Sequence, residues 1–327
     1  MMLQRVQAKL RFELTRVLNR WLMLLARLPL AANAEADAGE LLQQMPPLFI
    51  VGAPRTGSTA LYQIISQAFD VAYIDNLAAN FYGNLPFALR LSRASGGQGA
   101  HGCFESDLGR TSTGGWHAPH ECGEFWYRWL SREEHYVDAA DITPDMVASL
   151  RREVVAATRA LGRPLVFKNL NVGQRLQLIR RAFPEARILY CRRDQAFTVQ
   201  SILAARNRLG WPADALWSVR PKEWRALELL PLMEQVAAQV VALERQIEVD
   251  LKAFPSDQVL VVDYESWAGA EPRLLEDLVR FGGWARRPGA SRLPVQGGGN
   301  RVRDPVQMKM IRDALSAVPA AGNRQEK

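Results

Sequence analysis

The sequence predicts an α/β domain, a mostly parallel sheet flanked by helices on both faces. Two observations predict it. Short apolar, β-branched runs recur along the chain, and each is followed by a stretch with helical spacing; strands alternating with helices pair parallel through crossovers. A glycine-bounded turn, residues 52–59, stands between the first such run and its helix, where sheets of this kind place their ligands.

The bulk properties set limits. With 48% apolar and 23% charged residues among 327, the chain has ordinary globular proportions. Cys103, Cys122 and Cys191 are an odd, scattered set without a Cys-x-x-Cys pair. That argues against a disulfide framework or a cysteine-rich zinc site and fits a reducing, cytoplasmic location. Residues 1–30 carry six basic residues against the single acid Glu13, +5 of the chain's net charge of +7. The remaining body is nearly balanced and has no basic stripe with interleaved aromatics, so no nucleic-acid partner is expected.

Residues 1–30 read as a basic amphipathic helix, with Leu3, Val6, Leu10, Leu14, Val17, Trp21, Leu25 and Leu28 at helical spacing. Three roles stay open for it: packing on its own domain or a partner, peripheral membrane contact, or export as a signal peptide. Arg27, which interrupts the apolar run, weighs against export. Residues 31–47, rich in Ala and ending in Pro46-Pro47, read as a linker. One domain is expected over 48–315, followed by a flexible tail over 316–327.

Within the domain, 48–52 is a buried strand and 57–69 a helix. Residues 71–74 form a second strand. The Gly-, Ser-, Thr- and His-rich stretch 95–120 is a long functional loop. Helices follow over 121–130 and 144–161. Further strands fall at 164–167, 187–191 and 258–262, each leading into helical pattern. A long helical run, 222–253, is kinked at Pro231, and 295–304 is a Gly- and Arg-rich loop.

The turn Gly52-Ala-Pro-Arg-Thr-Gly-Ser-Thr59 points backbone amides and a helix dipole at one spot, a site for phosphate or sulfate. It keeps the glycine spacing of the Walker loop, but Ser58 stands where that loop has its lysine, and Arg55 supplies a cation from within. This counts against a P-loop kinase or NTPase, which remains the rival reading beside a non-catalytic nucleotide-binding member of the same fold. A second signal is a strand ending at Arg193, then a helix that opens with Asp194 and carries Ser201. A guanidinium fork with a hydroxyl suits a terminal phosphate.

Together these two segments resemble the phosphate motifs of the sulfotransferases that use PAPS (3′-phosphoadenosine 5′-phosphosulfate), in their bacterial and Golgi-type version. Pro54-Arg-Thr-Gly-Ser-Thr-Ala-Leu61 is similar to the 5′-phosphosulfate loop. The segment Arg187–Ser201 is similar to the 3′-phosphate motif, with Gln195 in place of the usual proline. The resemblance implies a P-loop-like fold and sulfuryl transfer from PAPS to an acceptor hydroxyl. It implies that Arg55, Thr56, Gly57, Ser58 and Thr59 hold the 5′ end, and Arg193, Ser201 and Arg301 or Arg303 the 3′ end. Val259–Glu265 is similar to the family's late tyrosine-glutamate segment.

Sulfuryl transfer requires cationic or amide donors at the leaving oxygen, for which Arg55 and Lys168 are the candidates, and a base at the acceptor. Asp75 and His120 head the base candidates, with Glu121 and Glu124 as rivals. No metal is needed by this logic, and His117-x-x-His120 lacks the further ligands of a zinc site. The crowd of Trp116, Phe125, Trp126, Tyr127 and Trp129 suggests a carbohydrate or glycolipid acceptor, although such clusters also fill cores.

Overall fold

The structure, a computed structural model, describes residues 13–24, 37–99, 106–109, 111–267, 271–287 and 299–319. Five strands form one parallel sheet: β1 (Leu48–Gly52), β2 (Ala72–Tyr73), β3 (Leu165–Lys168), β4 (Arg187–Arg192) and β5 (Val259–Asp263), in the order β2-β3-β1-β4-β5. β1, β3 and β4 are nearly continuous apolar runs because both faces of the sheet are covered. Their side chains alternate between two cores. Leu48 and Ile50 face the helices Ser58–Ala68 and Glu271–Gly282. Phe49 and Val51 face the other side, among residues of Pro144–Leu161 and Leu176–Ala182.

A third cluster joins the helices Gln195–Leu209, Leu232–Leu251 and Pro305–Ala317. The chain leaves β1 toward the β2 side and leaves β4 toward β5, so the loops at these two neighbouring strand ends diverge. A crevice opens at such a switch point.

Several sequence expectations are adjusted. Within 31–47, read as linker, the helix Ala38–Gln44 buries Leu42 completely, so residues 38–44 belong to the packed body. A run of only seven residues carries too weak a periodicity to be seen. The run 222–253 is two helices, Trp224–Leu227 and Leu232–Leu251, the second capped by Pro231; proline fixes φ and cannot continue the ladder. Of 121–130, only Gly123–Trp126 is helical.

Phe125 and Trp126 are fully buried. Phe125 stacks on Phe167, which in turn stacks on Phe49 at 5.2 Å. These two rings fill the core and are closed to an acceptor. Leader residues 1–12 and 25–30, His101, Cys103, residues 295–298 and tail residues 320–327 lie outside the described residues.

Candidate functional site

The turn after β1 has an unusual backbone. Arg55 (φ 72°) and Gly57 (φ 89°) both lie in the left-handed region, on either side of Thr56. Such alternation turns successive N–H groups inward as an anion-binding nest. Thr56, fully buried, ties the turn shut by donating from its hydroxyl to the Ala53 carbonyl at 2.9 Å. Gly57 caps the helix Ser58–Ala68 without any side-chain cap. The first-turn amides therefore keep their donors for a ligand. A Cβ at Gly57 would sit 2.6 Å from Cδ2 of Tyr264, so the turn can approach that ring only as glycine.

The second segment meets this turn directly. Arg193 Nη1 donates to the Arg55 carbonyl at 3.0 Å, and Arg55 Nε donates to Ser201 Oγ at 3.0 Å. The Arg193 guanidinium lies 4.6 Å from the centroid of the Tyr264 ring. Burial lowers the pKa of Arg55, and Arg193, Arg208 and Arg303 repel it further. Burial lowers that of Arg193 as well. Several cations compressed into one corner are stabilised by a bound anion.

Residues 299–303 of the Gly- and Arg-rich loop lie over this corner. Arg193 Nε donates to Asn300 Oδ1 at 2.9 Å, and Asn300 Nδ2 donates to Glu265 Oε1 at 2.6 Å. Gln200 donates to the Arg301 carbonyl and accepts from the Arg303 amide, at 2.9 and 3.0 Å. Arg193, Gln200, Ser201, Gly299, Arg301 and Arg303 line a cavity of about 190 Å³. Gln200, Asn300 and Arg208 escaped the sequence reading. Only the helical spacing of Gln200 beside Ser201 could have pointed to one of them.

Lys168 occupies a separate position at the end of β3. Its side chain is only 2% exposed. The ammonium donates to Thr59 Oγ1 at 3.1 Å and pairs with the carboxylate of Glu121. Gly109 lies over this trio. The sequence placed Arg55 and Lys168 together as leaving-group donors, but the structure sets Arg55 beside Ser201 and only Lys168 beside Thr59.

The base candidates separate clearly. Asp75 is fully buried: it accepts from Ala78 N at 2.7 Å, Ser92 Oγ at 2.5 Å and His117 Nδ1 at 2.8 Å. Those three bonds make it a tie between loops, with no oxygen left open to solvent. His120 Nδ1 accepts from the Cys122 amide at 2.8 Å, so the neutral ring carries its proton on Nε2 and has no free lone pair. Burial lowers its pKa, with Lys168 adding to that. Glu124 is paired with Arg132. Glu121 alone combines contact with Lys168 and partial exposure. Trp116 is 69% exposed.

The model of a family described as the sulfotransferase family matches residues 46–288, well over half of the chain. A search of curated proteins gives no match. Among solved structures, the sulfotransferase STF1 from Mycobacterium tuberculosis H37Rv has 14% identity and a TM-score of 0.50, covering 85% of this chain and 81% of its own. The sulfotransferase STF9 from Mycobacterium avium has 12% identity and a TM-score of 0.47, covering 87% and 73%. A sulfotransferase domain from the curacin biosynthetic pathway has 12% identity and a TM-score of 0.43, covering 83% and 98%. The first of these likenesses shows a common fold.

Proposed function

This chain belongs to the sulfotransferase family, and from that premise we propose that it moves a sulfuryl group from PAPS to an acceptor hydroxyl. The observation that carries the reading is the contact of the two anion-binding segments, in which Arg193 holds the Arg55 carbonyl and Arg55 holds Ser201. A nucleotide with phosphate at both ends of its ribose requires two adjoining anion sites, and these segments supply them. In this account Arg55, Arg193 and Ser201 bind the 3′-phosphate, with Arg301 and Arg303 above it. The amides of Thr56 to Thr59 receive the 5′-phosphosulfate.

Lys168 and Glu121 divide the chemistry. The acceptor oxygen attacks sulfur, and the bond from sulfur to the 5′-phosphate oxygen breaks, its electron pair leaving with 3′,5′-ADP. Lys168 neutralises the charge that grows on that oxygen, a role worth most where water is excluded. Glu121 takes the acceptor's proton. In this reading the acceptor hydroxyl enters where these two groups meet. The leaving-group role considered for Arg55 thus passes to Lys168, and Asp75 and His120 become positioning residues of the surrounding loops.

For the acceptor we propose a carbohydrate or glycolipid hydroxyl. Hydroxyl-rich chemistry suits the polar groups around Glu121: Asn169 donates to the Glu121 carbonyl, and Asn171 donates to Tyr127 Oη at 3.2 Å. Exposed Trp116 offers a stacking face.

Calorimetry with 3′,5′-ADP against ADP tests the reading. A preference for the 3′-phosphorylated nucleotide, independent of Mg²⁺ and lost in Arg193→Ala, supports it. Equal affinity, or Mg²⁺-dependent binding of ATP instead, overturns it in favour of a P-loop NTPase.

A further inference from the structure

The described part of the leader is a helix over residues 13–24, and its two apolar sides have different fates. One side is anchored to the body. Asn19, fully buried, accepts from the Gly83 amide at 2.6 Å and donates to the Asn80 carbonyl at 2.9 Å. A Cβ at Gly83 would lie 2.4 Å from the Asn19 carbonyl oxygen, so the helix backbone is pressed against that turn. Leu22, one helical turn on from Asn19, is also buried.

The other side is bare. Leu14, Val17, Leu18, Trp21 and Leu24 are all exposed, Leu14 by 61% and Trp21 by 64%. At 100° per residue these five fall within an arc of about 120°, with Leu22 just beyond one edge, Arg20 just beyond the other, and Asn19 on the opposite side. A polar helix surface is the expectation for a helix packed on one side; five large apolar side chains in register are the pattern of a docking face.

We propose that this stripe docks on the surface of an anionic phospholipid bilayer, with the helix axis lying in the membrane plane. The choice of occupant rests on charge. Residues 1–30 hold six basic side chains and one acid, so a second copy of the chain would bring two strongly positive segments together. A negatively charged lipid surface complements them instead. Trp21, in the middle of the stripe, has the amphipathic ring that suits the headgroup level. The anchoring through Asn19 and Gly83 makes the contact rigid, so the bilayer holds the whole domain in one orientation.

The test is co-sedimentation of the full chain with vesicles of phosphatidylcholine, with and without phosphatidylserine. Binding is expected only to the anionic vesicles, weakening as salt is raised. Leu18→Ser/Trp21→Ser and, separately, Arg20→Glu should each weaken it by about tenfold or more. Thermal unfolding and 3′,5′-ADP binding of these variants should match the parent, since the replaced side chains are exposed. The proposal is overturned if the chain stays in the supernatant or if the variants bind as tightly as the parent. It is equally overturned if sedimentation velocity shows a dimer that Leu18→Ser/Trp21→Ser dissolves. A failure of nucleotide binding in the parent chain would count against the transferase reading and leave this outcome unaffected.

Discussion

Gly57→Ala separates what the phosphate turn needs from what any left-handed glycine needs. Gly57 has φ 89°, and its added Cβ would meet Tyr264 Cδ2 at 2.6 Å and Trp267 at 3.1 Å. Gly96 has φ 92°, with nothing within 4 Å of its added Cβ. An alanine at either position costs about 1–2 kcal/mol for the left-handed backbone. Only at Gly57 is there a second cost, about 1–3 kcal/mol for forcing a methyl group into packed rings. The buried Tyr264 and Trp267 cannot yield without disturbing Arg193, which lies over the Tyr264 ring.

Urea unfolding should therefore place Gly57→Ala below Gly96→Ala in stability by about 1–3 kcal/mol. Calorimetry should show weakened 3′,5′-ADP binding in Gly57→Ala alone. If the two variants lose equal stability and Gly57→Ala binds the nucleotide like its parent, the turn is not held against Tyr264, and the argument for a shaped anion site fails.

Other outcomes follow from the same geometry. Lys168→Ala should lower turnover with PAPS by about 10²–10³ while 3′,5′-ADP affinity changes little; a large loss of affinity would place Lys168 in ground-state binding. Glu121→Gln should cost about 10²–10⁴ in turnover while leaving 3′,5′-ADP affinity unchanged, whereas Asp75→Asn should act through stability, lowering the urea midpoint with little change in turnover. Burial, with Arg175 adding to it, lowers His135 to about 4. The folded state then binds fewer protons than the unfolded chain between about pH 4 and 6.5, and stability falls as pH drops through that window, by up to about 3 kcal/mol. Burial raises Glu244 to about 7, so its contribution has the opposite sign and is lost as pH rises from about 4.5 to 7. In urea titrations across pH, His135→Asn should remove the first slope and Glu244→Gln the second; unchanged profiles would contradict both assignments.

The parts of the fold legible in the sequence are those with local causes. β1, β3 and β4 are continuous apolar runs because helices cover both faces, and such runs announce themselves. The turn 52–59 was legible because its glycine spacing is dictated by backbone geometry. The contacts that give the site its shape are of another kind. Gln200 and Asn300 are ordinary polar residues until the fold brings Arg301, Arg303 and Arg193 to them.

Burial was equally hidden. Asp75 in Tyr73-Ile-Asp-Asn76 looks like an accessible acid, yet Ser92 and His117, 17 and 42 residues away, consume its oxygens. Glu121 and Asp75 are the same chemistry in sequence, and only Lys168 at the end of β3 distinguishes one from the other. The aromatic cluster divides for a related reason: its composition fits a sugar platform or a core alike, and in the fold Phe125 and Trp126 face Phe49 and Phe167 while Trp116 stays exposed.

Crystals of the chain grown with 3′,5′-ADP test the central claim most directly. The account predicts one nucleotide spanning the crevice beyond β1 and β4, its 3′-phosphate on Arg193 and Ser201 and its 5′-phosphate on the amides of Thr56 to Thr59. A nucleotide bound elsewhere, or one that touches only a single one of these two segments, would contradict it.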